Sequence, residues 1–327
     1  MLRLEYGAIG VIIYSDPHED GNLKNATPYP HGPGRHPSAV QRGSVQFLSK
    51  CPGDPSTPGC ASKPGVNRTD PHAYIPSIPS LPISYRDALP FLKSLNGGKL
   101  CRSKVGDNWA GSLQGIDYCV ESPSKPIVNL INEVEFVYTP IYNVIGRIPG
   151  TSSQEVILGN HRDAWVYGAG DPSSGSAVLN SIAQAFGRLL SQSWKPHRTI
   201  ILASWDAEEY GLVGSTEWVE DHAKHLTKNA LAYLNVDVAC VGDALSMASS
   251  PLLEDVLVQA TKDVITNTGS TMYENWKNTS SGKAHVGVLG SGSDYTGFLQ
   301  LLGIASSDMG FAPRTSVYQC INLCFEN

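Results

Sequence analysis

Three short apolar runs are the clearest pattern in the second half of the chain. They cover residues 156–158, 199–203 and 230–236, and each has the length and the aliphatic or β-branched composition of a buried strand. Between the first two runs, apolar residues recur at helical spacing over residues 174–190. A strand, a helix and a second strand in this order predict parallel pairing through a crossover helix.

Chemically active residues come at the ends of these predicted strands. His161 follows the first strand, Glu208 and Glu209 follow the second, and Asp237 ends the third. Because ligands collect at the carboxyl ends of strands in open α/β sheets, we expect these side chains to converge on one edge of the sheet.

Imidazole nitrogen and carboxylate oxygen both bind zinc, and two zinc ions can share one carboxylate while activating a hydroxide between them. In this interpretation His161 and Asp237 bind one ion, Glu209 binds the other, and Asp171 bridges the two. Glu208 lies beside a ligand without being one, so it is the candidate general base. The sequence therefore predicts a two-zinc hydrolase.

Each of these residues also has a structural interpretation when it is taken alone. A His after a strand is often a hydrogen-bonded structural residue, an Asp at a strand end often caps a helix, and adjacent Glu residues often begin a solvated helix. Their joint occurrence at three strand ends favours the metal site. Asp163 is then expected to accept the His161 N–H that faces away from the metal.

A family resemblance is carried by the segments LGNHRDAWVYGAGDPSSGSA, TIILASWDAEEYGLVGSTEW and LAYLNVD. They resemble the glutamate carboxypeptidase II branch of the co-catalytic zinc peptidases, whose relatives include N-acetylated-alpha-linked acidic dipeptidases and the transferrin receptor ectodomain. The resemblance covers nearly the whole chain. It implies an α/β zinc exopeptidase domain, with a mixed, largely parallel sheet flanked by helices, and a β-rich protease-associated (apical) domain.

For the active site, the resemblance implies the same zinc ligands, the same base and a small peptide as substrate. It also implies a substrate cleft lined by Ser291, Gly292 and Ser293. Ser44 stands where close relatives that cleave acidic dipeptides carry an Asn. Carboxypeptidase activity is therefore the first expectation, and aminopeptidase-like or broader dipeptidase activity stays open.

The resemblance also implies a structural Ca²⁺ site. The matching residues are Thr57, Cys60 through its carbonyl oxygen, Glu217 and Glu220. Oxygen ligands of this kind suit calcium. The alternative is that the two Glu residues, at i and i+3, form a solvated helical face.

The carboxyl end departs from the family pattern. The family places its last zinc ligand, a His, in a Tyr-His-Ser type motif, whereas this chain continues from Tyr318 into residues 319–327, which do not resemble the family. No His follows His285, so the second zinc site is expected to be incomplete. We favour an error in the gene prediction as the explanation. The alternative is a catalytically inactive, transferrin receptor-like binding or sorting protein.

The predicted domains are a partial protease-associated domain over 1–137, an incomplete zinc peptidase domain over 138–318, and the non-family tail over 319–327. The resemblance implies truncation at both ends, with a single membrane anchor upstream. We therefore expect a type II membrane protein with a lumenal or extracellular catalytic domain, homodimeric at full length. Sequons at Asn25, Asn67 and Asn278 agree with that compartment.

Composition adds two limits. The 327 residues are 41% apolar, enough for a sizeable core, and the formal charge of -6 gives no indication of nucleic-acid binding. The spacing of Cys51 with Cys60, and of Cys101 with Cys119, allows short disulfides. Free thiols are the open alternative for both pairs.

Overall fold

The computed structural model describes residues 7–17, 27–32, 34–106, 109, 111–280 and 282–312. The chain divides into two compact units. The second unit contains Gln46–Ile75 and Thr139–Arg314, and the first contains the chain up to Val45 and Pro76–Tyr138. The predicted domain division at 137/138 stays a prediction, and Gln46–Ile75 packs with the second unit. The Asn25 sequon and the tail 319–327 lie outside the described residues.

The first unit has little regular structure. Strand β1 (Val11–Ile13) pairs in parallel with β2 (Ser80–Pro82). Helix α1 (Tyr85–Lys93) begins after Ser84, whose side chain accepts the backbone N–H of Asp87, and α2 (Arg102–Val105) is a single turn. A disulfide joins Cys101 to Cys119, whereas Cys51 and Cys60 in the second unit are free thiols. Two paired strands are less than the β-rich domain expected, so the protease-associated domain stays a prediction.

The second unit is built on a six-stranded sheet in the order β3-β5-β4-β6-β8-β7. The central strands β5, β4, β6 and β8 run parallel, and the edge strands β3 and β7 are antiparallel to their neighbours. The strands are β3 (Val144–Ile148), β4 (Glu155–His161), β5 (Thr199–Trp205), β6 (Ala230–Asn235), β7 (Ala244–Ser249) and β8 (Ala305–Ala312). The mixed, largely parallel sheet that the sequence predicts is confirmed.

Helices flank this sheet. They are α3 (Ser173–Ser191), α4 (Val213–Asn229), α5 (Pro251–Asp263) and α6 (Met272–Thr279), with a π-helical turn at Gly297–Leu301. The predicted strands correspond to β4, β5 and β6, and the predicted helix corresponds to α3. Of the helices in the described part of the chain, none has the length and apolar character needed to cross a bilayer.

Every second side chain of β5 is buried, as strand geometry favours, and β4 follows the same pattern until its last three residues, which are all buried. Ile157 and Trp205 pack in one core cluster with Val219 of α4. The rings of Tyr233 and Phe298 stack in the same cluster, with centroids 4.1 Å apart. Burying each such side chain stabilises the fold by about 1.5–3 kcal/mol. This core fixes the strands whose carboxyl ends carry the predicted site.

Candidate active site

His161 is the last residue of β4, and its side chain is buried. Its Nδ1 lies 3.0 Å from the backbone oxygen of Asp163. Since a carbonyl oxygen can only accept, Nδ1 carries the proton of that hydrogen bond. The other nitrogen, Nε2, lies 2.9 Å from Asp237 Oδ1 and 3.1 Å from Asp171 Oδ1. Nε2 is therefore the atom that faces the cluster of acids.

These three residues form a compact set of donor atoms. One ligand atom each from His161, Asp171 and Asp237 lies within 4.8 Å of the others. Burial lowers the pKa of His161, but the neighbouring carboxylates of Asp163, Asp171 and Asp237 raise it, and the acids prevail. The negative charge of these acids therefore stabilises a positive charge at Nε2. A metal ion bound there would be stabilised by the same carboxylates as a proton. The donor set fits zinc.

Close backbone packing positions Asp237 against the start of α3. Asn160 of β4 donates from Nδ2 to the backbone oxygen of Val236 at 2.9 Å, and Ser176 donates to Asn160 Oδ1 at 2.7 Å. A Cβ atom on Gly175 would lie only 2.3 Å from the backbone oxygen of Asp237. Because no side chain fits there, glycine lets α3 approach the segment that carries this acid.

Glu208 and Glu209 lie in the turn that follows β5. Their backbone N–H groups donate to the two carboxylate oxygens of Asp163, at 3.0 Å and 3.1 Å. Ala207 before them has a φ of 55°, a left-handed conformation that costs a non-glycine residue about 1–2 kcal/mol. The Asp163 carboxylate therefore holds the turn that carries the candidate base.

This arrangement differs from the role that we expected for Asp163. Its backbone oxygen, rather than its carboxylate, is the acceptor for His161, because Oδ1 lies 3.5 Å from Nδ1 while both carboxylate oxygens accept turn amides. The sequence offers no signal for this exchange, since it depends on how the turn after β5 packs against the end of β4.

Electrostatics in the site are dominated by crowded acids. Burial raises the pKa of Glu208 well above its ordinary value, and the neighbouring Asp294 and Asp237 raise it further. Burial and Asp171 raise the pKa of Glu209 to about 8. Glu208 Oε2 lies 3.9 Å from His161 Nε2, so the candidate base is beside the donor set. A divalent cation among these oxygens would favour their ionised forms.

Asp294 is a member of this acidic cluster that sequence reasoning missed. Its side chain is fully buried, and burial raises its pKa to about 7. The only signal in the sequence is its position directly after the predicted cleft residues. Of those, Ser291 and Gly292 are exposed, whereas Ser293 is buried and donates to Asp237 Oδ2 at 2.5 Å. Ser44 is an exposed residue of the first unit.

The predicted calcium ligands gather in a second cluster, between the loop of residues 53–68 and α4. Glu217 accepts the backbone N–H of Asp54 at Oε1, 2.7 Å away, and that of Ser62 at Oε2, 2.5 Å away. Asp54 in turn accepts a hydrogen bond from Arg68 at 2.6 Å. Gly53, at a φ of 86°, would place a Cβ 2.7 Å from Glu217 Oε1, so a side chain there is excluded.

Two buried oxygens in this cluster, Glu220 Oε2 and Thr57 Oγ1, have no hydrogen-bond partner among the described residues. Burial raises the pKa of Glu217 and of Glu220 to about 7. The Cys60 side chain is exposed. A buried Thr hydroxyl and two desolvated carboxyls, one with an unsatisfied oxygen, fit the oxygen-only ligation of Ca²⁺.

Comparison with known proteins relates the chain to peptidases. The sequence profile of "Peptidase family M28" matches residues 143–320. A "Probable glutamate carboxypeptidase" of Arthroderma benhamiae is 49% identical over 94% of this chain and 43% of its own length. "Aminopeptidase NAALADL1" of Rattus norvegicus is 38% identical over 94% of this chain and 43% of its own length. Among solved structures, an aminopeptidase from Aneurinibacillus sp. strain AM-1 aligns with 56% of this chain and 42% of its own, at 22% identity and a TM-score of 0.43.

The chain thus spans less than half the length of the curated relatives that it matches. The matched profile begins at β3 and includes all the residues that the structure brings together at the carboxyl edge of the sheet. We call this group the sheet-edge cluster; it contains His161, Asp171, Glu208, Glu209, Asp237 and Asp294.

Proposed function

The chain belongs to peptidase family M28, and from that premise we propose that it is a zinc-dependent exopeptidase that hydrolyses small peptides. The observation that carries this proposal is the convergence of His161, Asp171 and Asp237 within 4.8 Å, with Glu208 beside them. We propose two zinc ions, with His161 and Asp237 on one, Glu209 on the other and Asp171 shared. Zinc bound there would supply Lewis acidity and lower the pKa of a water molecule.

In the proposed mechanism, Glu208 accepts a proton from the attacking water and delivers it to the leaving amine. The Glu208 side chain is buried, and its Oε2 lies 3.9 Å from His161 Nε2, so this carboxyl is beside the place where water would be activated. Asp163 contributes by holding the Glu208 backbone N–H, and so the position of the base. The backbone oxygen of Asp163, which accepts the Nδ1 proton of His161 at 3.0 Å, keeps the imidazole oriented.

The two named relatives act from opposite ends of a peptide, so the proposal leaves the attacked end to experiment. The test is zinc content together with hydrolysis of two substrate types, peptides with a free carboxyl end and aminoacyl compounds. We expect activity on at least one of them, lost on chelation and restored by zinc. A protein that binds no zinc would overturn the proposal.

A second candidate function is a non-catalytic binding or sorting role. It is favoured by His285, which is exposed and, among the described residues, lies outside the set of donor atoms that His161, Asp171 and Asp237 form. Zinc binding at one ion per chain, without hydrolysis of either substrate type, would support this alternative.

We also propose a structural Ca²⁺ at Thr57, the Cys60 carbonyl oxygen, Glu217 and Glu220. The two unsatisfied buried oxygens support it. For the whole protein we propose a homodimer with a membrane anchor and a lumenal or extracellular catalytic domain, as the family resemblance implies. Sedimentation of the full-length protein tests the dimer, and protease protection in sealed membranes tests the topology.

A further inference from the structure

We propose that a one-directional chain of buried hydrogen bonds, which starts at Trp205 and ends at Asp237, positions this carboxylate to bind zinc. Its members in order are Trp205, Tyr233, Asn235, Ser293 and Asp237. The inference rests on the proposed zinc-peptidase function and adds positioning residues to it.

The hydrogen bonds of the chain are continuous and well formed. Trp205 Nε1 lies 2.9 Å from the Tyr233 hydroxyl, which lies 2.8 Å from Asn235 Oδ1. Asn235 Nδ2 lies 2.9 Å from Ser293 Oγ, and Ser293 Oγ lies 2.5 Å from Asp237 Oδ2. Trp205, Tyr233 and Asn235 are 0% exposed and Ser293 is 3% exposed, so water does not compete for these bonds.

The direction of the chain follows from its first member. The indole of Trp205 can only donate, so the Tyr233 hydroxyl accepts that bond and donates its own proton to Asn235. The amide oxygen of Asn235 therefore faces Tyr233, and its nitrogen faces Ser293. Asp308 supports this orientation of the Asn235 amide. Its Oδ1 lies 2.9 Å from Asn235 Nδ2 and can only accept a hydrogen bond when it is ionised.

Ser293 already accepts a hydrogen bond from Asn235, so its single proton goes to Asp237 Oδ2. This leaves Oδ1 as the oxygen of Asp237 that faces His161 Nε2, at 2.9 Å. Rotating the carboxylate would break its bond to Ser293. Asp237 is thereby held to present one defined oxygen to the metal position.

The strand that carries His161 is packed directly on the first link of the chain. A Cβ atom on Gly159 would lie 2.1 Å from the Tyr233 hydroxyl and 2.6 Å from Trp205 Nε1. The backbone of β4 therefore lies against the Trp205–Tyr233 hydrogen bond, two residues before His161. This contact sets both zinc-binding side chains relative to one rigid core.

Ser293→Ala and Tyr233→Phe test the proposal, with Ser306→Ala and Tyr273→Phe as matched controls. Ser306 is also a buried serine, but it donates to the backbone oxygen of Ile304. Tyr273 packs against a separate core cluster that contains Leu257 and Trp276. Zinc affinity is measured by competition with a chromogenic chelator, and the melting temperature is measured with and without zinc. Losing an outer partner of a ligand typically weakens metal binding about 10–100-fold.

We expect that loss for Ser293→Ala, and a smaller loss for Tyr233→Phe because Asn235 can still contact Ser293. Without zinc, Ser293→Ala should melt like Ser306→Ala, whereas Tyr233→Phe should melt lower than Tyr273→Phe because it leaves Trp205 Nε1 and Asn235 Oδ1 unpaired in the core. Both test variants should gain less stability than the parent protein when zinc is added. Ser293→Thr, which keeps the hydroxyl, should recover most of the affinity. Parent-like zinc affinity in both test variants would overturn the inference alone. A parent protein that binds no zinc would overturn the proposed function, and this inference with it.

Discussion

The second compact unit holds two clusters of acids that differ in what their oxygens face. At the sheet edge, Asp171 and Asp237 converge on one imidazole nitrogen, 3.1 Å and 2.9 Å away. In the cluster beside α4, both oxygens of Glu217 accept backbone N–H groups, and Asp54 is paired with Arg68. The first arrangement concentrates negative charge on a small volume, as catalysis with a metal requires. The second uses its acids to hold a loop.

The two clusters also differ in how residues that are far apart in the sequence are brought together. Glu208, Glu209 and Asp237 follow the parallel strands on either side of β4, so the topology brings them to the edge where His161 lies. Asp171 joins them from the loop that leads into α3. The second cluster joins Asp54 to Glu217, which are 163 residues apart, and depends on loop packing. We therefore expect changes at the sheet edge to affect chemistry, and changes in the second cluster to affect stability.

The largest expected effect is that of Glu208→Gln. The amide cannot take a proton from water, so we expect turnover to fall by at least about 10²–10⁴-fold, the usual contribution of a general base. Zinc content should stay at the parent level because Glu208 is not a proposed ligand. Glu254→Gln, which changes an exposed Glu of α5, is the control. Parent-like turnover in Glu208→Gln would remove this residue from the mechanism.

Next in size is Asp171→Asn, which keeps the shape of the side chain but removes the charge that both ions are proposed to share. We expect zinc affinity to fall by more than the 10–100-fold typical of a change outside the ligand set. Zinc is measured by metal analysis after dialysis against a weak chelator. The exposed Asp255 supplies the control Asp255→Asn. Unchanged zinc content would show that Asp171 does not bind it.

A medium effect is expected for Glu220→Gln in the second cluster. A ligand present at 100 times its Kd stabilises the folded state by about 2.7 kcal/mol, so calcium should raise the melting temperature of the parent protein. We expect this rise to disappear in Glu220→Gln while zinc binding is retained. If calcium raises the melting temperature of the variant as much as that of the parent, Glu220 is not a calcium ligand.

The smallest expected effect is on the pH dependence of stability, at an exposed acid outside both buried clusters. Glu274 accepts the backbone N–H of Thr271 in the capping box of α6, and this bond lowers its pKa below the ordinary 4.5. Its contribution to stability is therefore complete above about pH 4.5 and is lost as the pH falls through the lowered value.

Glu274→Gln keeps an acceptor but cannot titrate, so its stability should change less than that of the parent between pH 5 and pH 3. Urea unfolding at a series of pH values measures the difference. Equal slopes for the two proteins would mean that the capping bond does not depend on ionisation.

Periodicity and strand-end chemistry were sufficient to predict the parallel core and the sheet edge that holds the site. The runs at 156–158, 199–203 and 230–236 became β4, β5 and β6 because side chains of all three, Ile157, Ile201 and Tyr233 among them, enter one core. With the strands parallel, His161 and Asp237 had to come together at one edge. These features are local or follow from topology, so the residues along each segment determine them.

Tertiary packing decided which atom does what within that edge. Three features of the site depend on segments that are far apart in the sequence. The carboxylate of Asp163 accepts the turn amides instead of the His161 proton, Asp294 is buried, and Ser293 donates to Asp237. The direction of the hydrogen bonds from Trp205 to Asp237 depends on which donors and acceptors are in contact in the core. The sequence pattern does not predict these contacts. The sequence by itself determined the chemistry available at the edge of the sheet, whereas only the packed structure decided how each oxygen is aimed, because orientation is a property of contacts rather than of spacing.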